Sequence, residues 1–345
     1  MRLAVVGATG AVGTEMLSIL EGAALRLDAL VPVASPRSAG RRLTFRGTFL
    51  EVQGLAPHVF DNVDVALFDV PDDVSREWAP VAVSRGATVV DNSAAWRMEP
   101  DVPLVVPEVN PHACSSPPKG IIASPNCTML TLIVPIGALH AQAGIKRVLF
   151  ASYQAASGAG RGGVEELWDQ IERASKDADA VMGGRARDVL EAGSVFPHPL
   201  AMNVIPQIGS VRDNGYTGEE LKVGEETRKV LGLPDLPVTG TCVRVPTVTG
   251  HAVSVHAEFR SPISADEARA ILRASPGIEV RDDPANGEYP TPLEAAGRDP
   301  CYVGRIRDDL YDPNALELFC VTDNLRKGAA LNTVQIAEFL AARRG

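Results

Sequence analysis

Arg2-Leu3-Ala4-Val5-Val6-Gly7-Ala8-Thr9-Gly10-Ala11-Val12-Gly13-Thr14-Glu15-Met16-Leu17-Ser18-Ile19-Leu20 is the stretch that decides the fold. Residues 3–6 are apolar without alternation, as in a strand covered on both faces. Glycines at 7, 10 and 13 follow, and Met16, Leu17, Ile19 and Leu20 then return at helical spacing. The order strand, glycine turn, helix lets backbone N–H groups approach an anion at a helix N-terminus. A glycine turn of this kind can also serve packing alone, so it points to a nucleotide only in company.

The company lies downstream. Apolar strands are expected at about 27–33, 63–70, 88–90 and 120–123, with a helical stretch at 74–85 between two of them. Buried strands alternating with helices make an α/β fold with a doubly wound parallel sheet of Rossmann type. After Cys127 the pattern changes. A helix is expected over 128–142, and strands over 147–154, 251–260, 302–307 and 316–321. Several of these alternate, as Val253, Val255, Ala257 and Phe259 do. They predict a second, α+β domain with a mixed or antiparallel sheet covered on one face. Residues 280–300 read as a long loop, and a last amphipathic helix is expected over 328–343. No internal repeat or low-complexity segment is visible.

A length of 345 residues suits two domains. The net charge of −10 leaves no basic footprint for nucleic acid or an anionic membrane, so an anionic substrate needs local Arg or Lys. None of the five cysteines forms a C-x-x-C pair, and no metal site is expected. An odd cysteine count, with no signal peptide ahead of the first strand, suits reduced thiols in the cytoplasm. No apolar run is long enough to span a bilayer.

The end of the second strand distinguishes cofactors. An NAD site would carry an acid there for the ribose hydroxyls. This chain has Ala34-Ser35-Pro36-Arg37-Ser38, in which Arg37 between Ser35 and Ser38 suits the 2′-phosphate of NADP. The same residues would also make an ordinary polar loop. Ser124-Pro125-Asn126-Cys127-Thr128 sits between an apolar strand and an apolar helix. A thiol there gains from the helix dipole and can attack a carbonyl, with Asn126 donating to the oxyanion. An isolated cysteine is otherwise a small buried hydrophobe. His251 opens a strand and can serve as acid or base. His256, five residues on, falls on the other face and is its structural control.

Together these segments resemble the aspartate-semialdehyde dehydrogenases over nearly the whole chain. The likeness rests on Gly7 to Gly13, Asp91-Asn92-Ser93-Ala94-Ala95-Trp96-Arg97, Val105-Val106-Pro107-Glu108-Val109-Asn110 and Pro125-Asn126-Cys127. It continues through Tyr153-Gln154-Ala155-Ala156-Ser157-Gly158-Ala159-Gly160, Arg244-Val245-Pro246, Gly250-His251 and Asp323-Asn324-Leu325-Arg326-Lys327-Gly328. The resemblance implies reversible, NADPH-dependent reductive dephosphorylation of L-aspartyl 4-phosphate to L-aspartate 4-semialdehyde, in lysine/diaminopimelate, methionine, threonine and isoleucine biosynthesis. Cys127 is then the thioester nucleophile, His251 the acid/base, and Gln154 lies beside substrate and thioester. Arg97 and Lys222 hold the phosphate, and Glu219 and Arg244 the amino-acid end. Gly7, Thr9, Gly10, Ala11, Val12, Gly13, Ser35, Arg37, Ser38, Ser157, Gly158 and Asn324 line the NADP site. Without the resemblance, Arg97, Glu219 and Lys222 would read as solvated surface charges.

The resemblance also implies an NADP-binding domain of residues 1–127 and 322–345, a catalytic and dimerisation domain of 128–321, and a homodimer or homotetramer. Two departures stand out. Members commonly carry Ser-Ala-Gly where this chain has Asp69-Val70-Pro71, which bears on cofactor contacts, and Asn where it has Ser124. Three rivals remain. N-acetyl-glutamyl-phosphate reductase has a neutral acylated amine in its substrate and gains nothing from Glu219. A non-catalytic NADPH sensor of the short-chain dehydrogenase type would keep its activity in Cys127→Ala. An inactive paralogue is opposed by the presence of both Cys127 and His251.

Overall fold

The valine-rich runs of the N-terminal half have no polar face to offer water. In the computed structural model, which describes residues 1–343, they form one six-stranded parallel sheet. The elements of this half run β1 (Arg2–Val6), α1 (Ala11–Gly22), β2 (Ala29–Ala34), β3 (Arg42–Phe45), β4 (Thr48–Glu51), β5 (Gln53–Gly54), β6 (Val65–Phe68), α2 (Asp72–Ser84), β7 (Thr88–Asp91) and β8 (Ile121–Ala123). The sheet order is β5-β2-β1-β6-β7-β8. The chain moves outward from β1 through β2, then returns to the other side of β1 as β6. Strand order therefore reverses between β1 and β6, and the crevice beyond their carboxyl ends is where open α/β sheets hold ligands.

β3 and β4 form a separate antiparallel hairpin that the sequence pattern does not announce. Its turn, Arg46-Gly47, has positive φ at both residues (46° and 75°), the twist that two-residue hairpins favour. Arginine is an unusual choice there, and its guanidinium is held by the carbonyls of Leu20 and Ala23 at 2.7 and 2.9 Å. β6 is shorter than the expected 63–70, so Asp69, Val70 and Pro71 form a loop at its carboxyl end.

The second half continues with α3 (Cys127–Ala143), β9 (Ile145–Gln154), α4 (Gly160–Lys176), α5 (Ala178–Met182), α6 (Gly218–Leu231), β10 (Val238–Arg244), β11 (His251–Phe259), α7 (Ala265–Ala274), β12 (Ile278–Val280), α8 (Pro292–Ala295), β13 (Cys301–Asp308) and β14 (Ala315–Thr322). Its sheet runs β10-β9-β11-β14-β13-β12. The four central strands are antiparallel, and each edge strand pairs parallel to its neighbour, so the sheet is mixed. β11 alternates buried and half-buried residues from Val253 to Phe259, which matches one covered face. A π-helical turn, Arg326–Ala330, then leads into α9 (Leu331–Ala342), three residues later than the expected start at 328.

The chain divides into two compact units. The first is Met1–Leu130, Glu225–Asp235 and Leu325–Gly345, and the second is Thr131–Gly224 and Leu236–Asn324. In the first, Leu3 and Val5 of β1, Met16 and Leu20 of α1, Leu67 of β6 and Val334 and Ile336 of α9 share one core. In the second, Leu167 and Ala174 of α4 pack with Leu190, Phe196 and Leu200. No helix among the described residues is long and apolar enough to cross a membrane.

Candidate active site

The glycine turn of the first unit is shaped by close backbone approach. A Cβ on Gly7 would fall 2.0 Å from the Asp69 carbonyl oxygen, and one on Gly13 would fall 2.1 Å from that of Gly7. Gly7 also has φ of 95°, which L side chains rarely adopt. α1 begins after Gly10 with no side-chain cap and no acid in its first turn. Its first N–H groups and its dipole therefore suit an anion, and the residues present fit a dinucleotide pyrophosphate. At the end of β2, Ser35 and Arg37 are exposed in a short turn, and Ser38 Oγ accepts from Thr9 Oγ1 at 3.4 Å. That bond ties the turn to the glycine loop, while Arg37 has no acidic partner among the described residues. An exposed unpaired cation beside a pyrophosphate loop fits a 2′-phosphate.

Cys127 is the first residue of α3 and is partly exposed, whereas the other cysteines are buried. Asn126 caps that helix: its Oδ1 accepts the N–H groups of Thr128 and Met129 at 2.8 and 3.2 Å. Asn126 is itself held by its own N–H, which donates to Glu226 Oε2 at 2.6 Å. Glu226 is 1% exposed and its other oxygen pairs with Arg97 Nη1 at 3.2 Å. Arg97 also donates Nε to Ser124 O at 2.9 Å and Nη2 to Asn92 O at 2.8 Å. Arg97 is thus buried and anchored, with part of its five-donor fork used by the protein. Ser124 Oγ accepts from Asn332 Nδ2 at 3.0 Å, so the serine there is a fixed member of the turn.

The second unit gathers Gln154, His251, Arg244 and Gly158. Gln154 ends β9 and is 1% exposed; its Oε1 accepts from Ser152 Oγ at 2.8 Å and its Nε2 donates to Glu219 Oε1 at 3.3 Å. His251 opens β11 fully buried, and its Nδ1 accepts the Ala155 N–H at 3.1 Å. An accepting Nδ1 puts the proton of the neutral ring on Nε2. Burial, and next the charge of Arg244, push the His251 pKa down to about 3. Arg244 ends β10, donates to Ala155 O at 2.6 Å and lies over the Phe196 ring. A Cβ on Gly158 would meet Arg244 Nη1 at 2.7 Å and His251 Nε2 at 3.1 Å, so only glycine leaves both groups room.

Asn324 joins Ser157 to this corner. Its Nδ2 donates to Ser157 Oγ at 3.0 Å and its Oδ1 accepts the Gly250 N–H at 2.8 Å. Lys222, three residues after Glu219 on α6, is half-buried without an acidic partner among the described residues. His256 faces away, as its odd spacing requires. Its Nδ1 meets Glu317, its cross-strand partner, at 2.7 Å, with Asp309 also near. Glu226 is the residue that sequence reasoning misses. It lies one helical turn beyond Lys222, but nothing in the spacing says that this turn of α6 carries a buried acid.

Two profiles of one family cover most of the chain. That of the semialdehyde dehydrogenase NAD binding domain matches residues 2–116, and that of the semialdehyde dehydrogenase dimerisation domain matches residues 136–327. They define the class: an oxidoreductase built from a dinucleotide-binding domain and a dimerisation domain. Aspartate-semialdehyde dehydrogenase of Streptomyces akiyoshiensis is 47% identical over 99% of each chain, and that of Bacillus subtilis 43% over 99% of this chain and 97% of its own. Vibrio cholerae aspartate semialdehyde dehydrogenase II, solved with ASA bound, superposes with TM-score 0.91 at 39% identity over 99% of this chain and 98% of its own. The Candida albicans enzyme, solved with NADP, gives 0.74 at 25% identity over 99% of both chains. The chain belongs to the aspartate-semialdehyde dehydrogenase family.

Proposed function

We infer that the protein catalyses the reversible, NADPH-dependent reductive dephosphorylation of L-aspartyl 4-phosphate to L-aspartate 4-semialdehyde, in the biosynthesis of lysine/diaminopimelate, methionine, threonine and isoleucine. Residues 1–127 and 322–345 make the NADP-binding domain in this reading, and 128–321 the catalytic and dimerisation domain. The observation that carries it is the half-exposed thiol of Cys127 at the start of α3, set by the Asn126 cap. The dipole of that helix favours a thiolate.

The Cys127 sulfur attacks the acyl phosphate carbon, the C–O bond to phosphate breaks, and a thioester remains. Arg97 and Lys222 hold the departing phosphate. Asn126 donates to the oxyanion that forms during acylation. NADPH, when bound, supplies the hydride that reduces the thioester carbonyl carbon. His251 donates from Nε2 to the oxygen as its charge develops. The same proton returns to His251 when the carbonyl re-forms and the C–S bond breaks, releasing aldehyde and thiolate. Gln154 positions the acyl group. Arg244 takes the α-carboxylate and Glu219 the ammonium.

Gly7, Thr9, Gly10, Ala11, Val12 and Gly13 would hold the pyrophosphate of NADP, Ser35, Arg37 and Ser38 would take its 2′-phosphate, and Ser157, Gly158 and Asn324 are the cofactor-binding residues proposed from the second unit. The match to a dimerisation domain supports a homodimer, or a pair of dimers, and cysteines that form no disulfide among the described residues suit the cytoplasm. The test is phosphate-dependent reduction of NADP with aspartate semialdehyde, followed by absorbance. Turnover that requires both phosphate and this aldehyde is expected. Preference for N-acetylglutamate semialdehyde, or no dependence on phosphate, overturns the reading.

A further inference from the structure

Asp69 puts a carboxylate beside the Gly7–Gly13 turn. It follows β6 directly, as Gly7 follows β1, and Val6 and Phe68 are register partners. Both loops therefore stand where the strand order reverses. The Asp69 N–H donates to Val6 O at 2.9 Å, and its carbonyl oxygen fills the space a Gly7 Cβ would need. Held this closely, the main chain has no room to carry the side chain away. Oδ1 accepts from Asn92 Nδ2 at 3.0 Å, and Oδ2 lies 3.9 Å from the place of a Cβ on Gly10.

The charged groups around it do not cancel this charge. Arg97 is the cation that acts on Asp69, but its guanidinium serves Ser124, Asn92 and Glu226. Asp91 is engaged with Ser75 and Ser93, and Asp72 with the Ala94 N–H. Burial outweighs Asn92 and Arg97 and holds the Asp69 carboxyl above its ordinary range.

We propose that Asp69 sets the affinity of the cofactor site: ionised, its carboxylate opposes a dinucleotide pyrophosphate on the Gly7–Gly13 turn, and protonated it does not. The inference rests on the cofactor reading above. Its consequence is a site whose hold on NADP(H) strengthens as pH falls, beyond any change in the nucleotide itself.

The test is NADPH binding to the full chain, by fluorescence titration across pH, for wild type, Asp69→Asn and Asp69→Ser, with thermal melts to show that each variant is folded. Both variants are expected to bind about tenfold more tightly than wild type at alkaline pH, the size of a partly screened charge pair. The gap should close as pH falls. Titration of the nucleotide's own phosphate is common to all three proteins, so the ratio of affinities isolates residue 69. Unchanged or weaker binding in folded variants, or a gap independent of pH, overturns the proposal. If wild type binds no NADPH, the cofactor reading itself falls and takes this inference with it.

Discussion

The ring of His251 has one nitrogen committed and one available for chemistry. Nδ1 accepts the Ala155 N–H, while Nε2 is buried without a hydrogen-bond partner among the described residues. With a pKa of about 3 in the fold against an ordinary 6.5, the folded protein keeps this ring neutral where the unfolded chain protonates it. Between those values the unfolded state binds the extra proton, so this group's contribution to stability falls as pH drops below 6.5. His251→Gln removes the effect. The stability gap between wild type and this variant should therefore narrow from about pH 7.5 to about pH 5 in urea unfolding. His256→Ala, on the other face, should leave turnover within a few-fold.

Arg37 makes a separate prediction at this scale. Arg37→Ala should weaken NADPH about 10- to 100-fold, the worth of a charge-assisted hydrogen bond, and hardly alter NADH. Equal weakening of both would remove the 2′-phosphate role. Arg37 is legible in the sequence because a strand end lacks the acid an NAD site needs. Cys127 and His251 are legible because each opens an element of recognisable pattern. Asp69 is visible only as a departure, since its approach to Gly7 depends on strand order that the sequence does not state.

At the scale of elements, the start of α3 is braced from α6. Glu226 holds the Arg97 guanidinium and the Asn126 N–H at once. Glu226→Ala leaves a buried guanidinium without its counter-charge and should cost about 3–5 kcal/mol in urea unfolding. It should also lower turnover, because the Asn126 turn that carries Cys127 loses its anchor. A loss below about 1 kcal/mol would mean that water replaces the carboxylate and the brace is incidental.

The long, strongly patterned elements are readable from hydrophobic spacing alone: β1, α1, α3, β9, β11 and α9 lie within a few residues of expectation. The hairpin β3–β4 is hidden because its turn uses Arg46 at positive φ, where asparagine or glycine would have signalled it. α7 is not among the expected elements despite a full signature. Ser264 and Glu267 form a reciprocal capping box, and Ser-x-x-Glu is readable in the sequence.

For the whole molecule, charge and partition matter most. A net charge of −10 opposes an anionic substrate at long range. Binding of acyl phosphate must then rely on local cations, and Arg97, Lys222 and Arg244 are those proposed. A protein built for such local recognition should bind substrate with modest salt dependence. The match of residues 136–327 to a dimerisation domain leads us to expect a dimer or larger in sedimentation at micromolar concentration. A monomer that retains full turnover would show that assembly is not needed for the chemistry.

The central claim is that the Cys127 sulfur carries the acyl group, and peptide mass spectrometry tests it most directly. The full-length protein is mixed with aspartate semialdehyde and NADP in the absence of phosphate, then quenched in acid. The expected result is an aspartyl mass increment on the peptide containing Pro125-Asn126-Cys127, removed when phosphate is added and absent from Cys127→Ser. Sustained phosphate-dependent turnover with no increment on that peptide, or with the increment on another residue, would contradict the account.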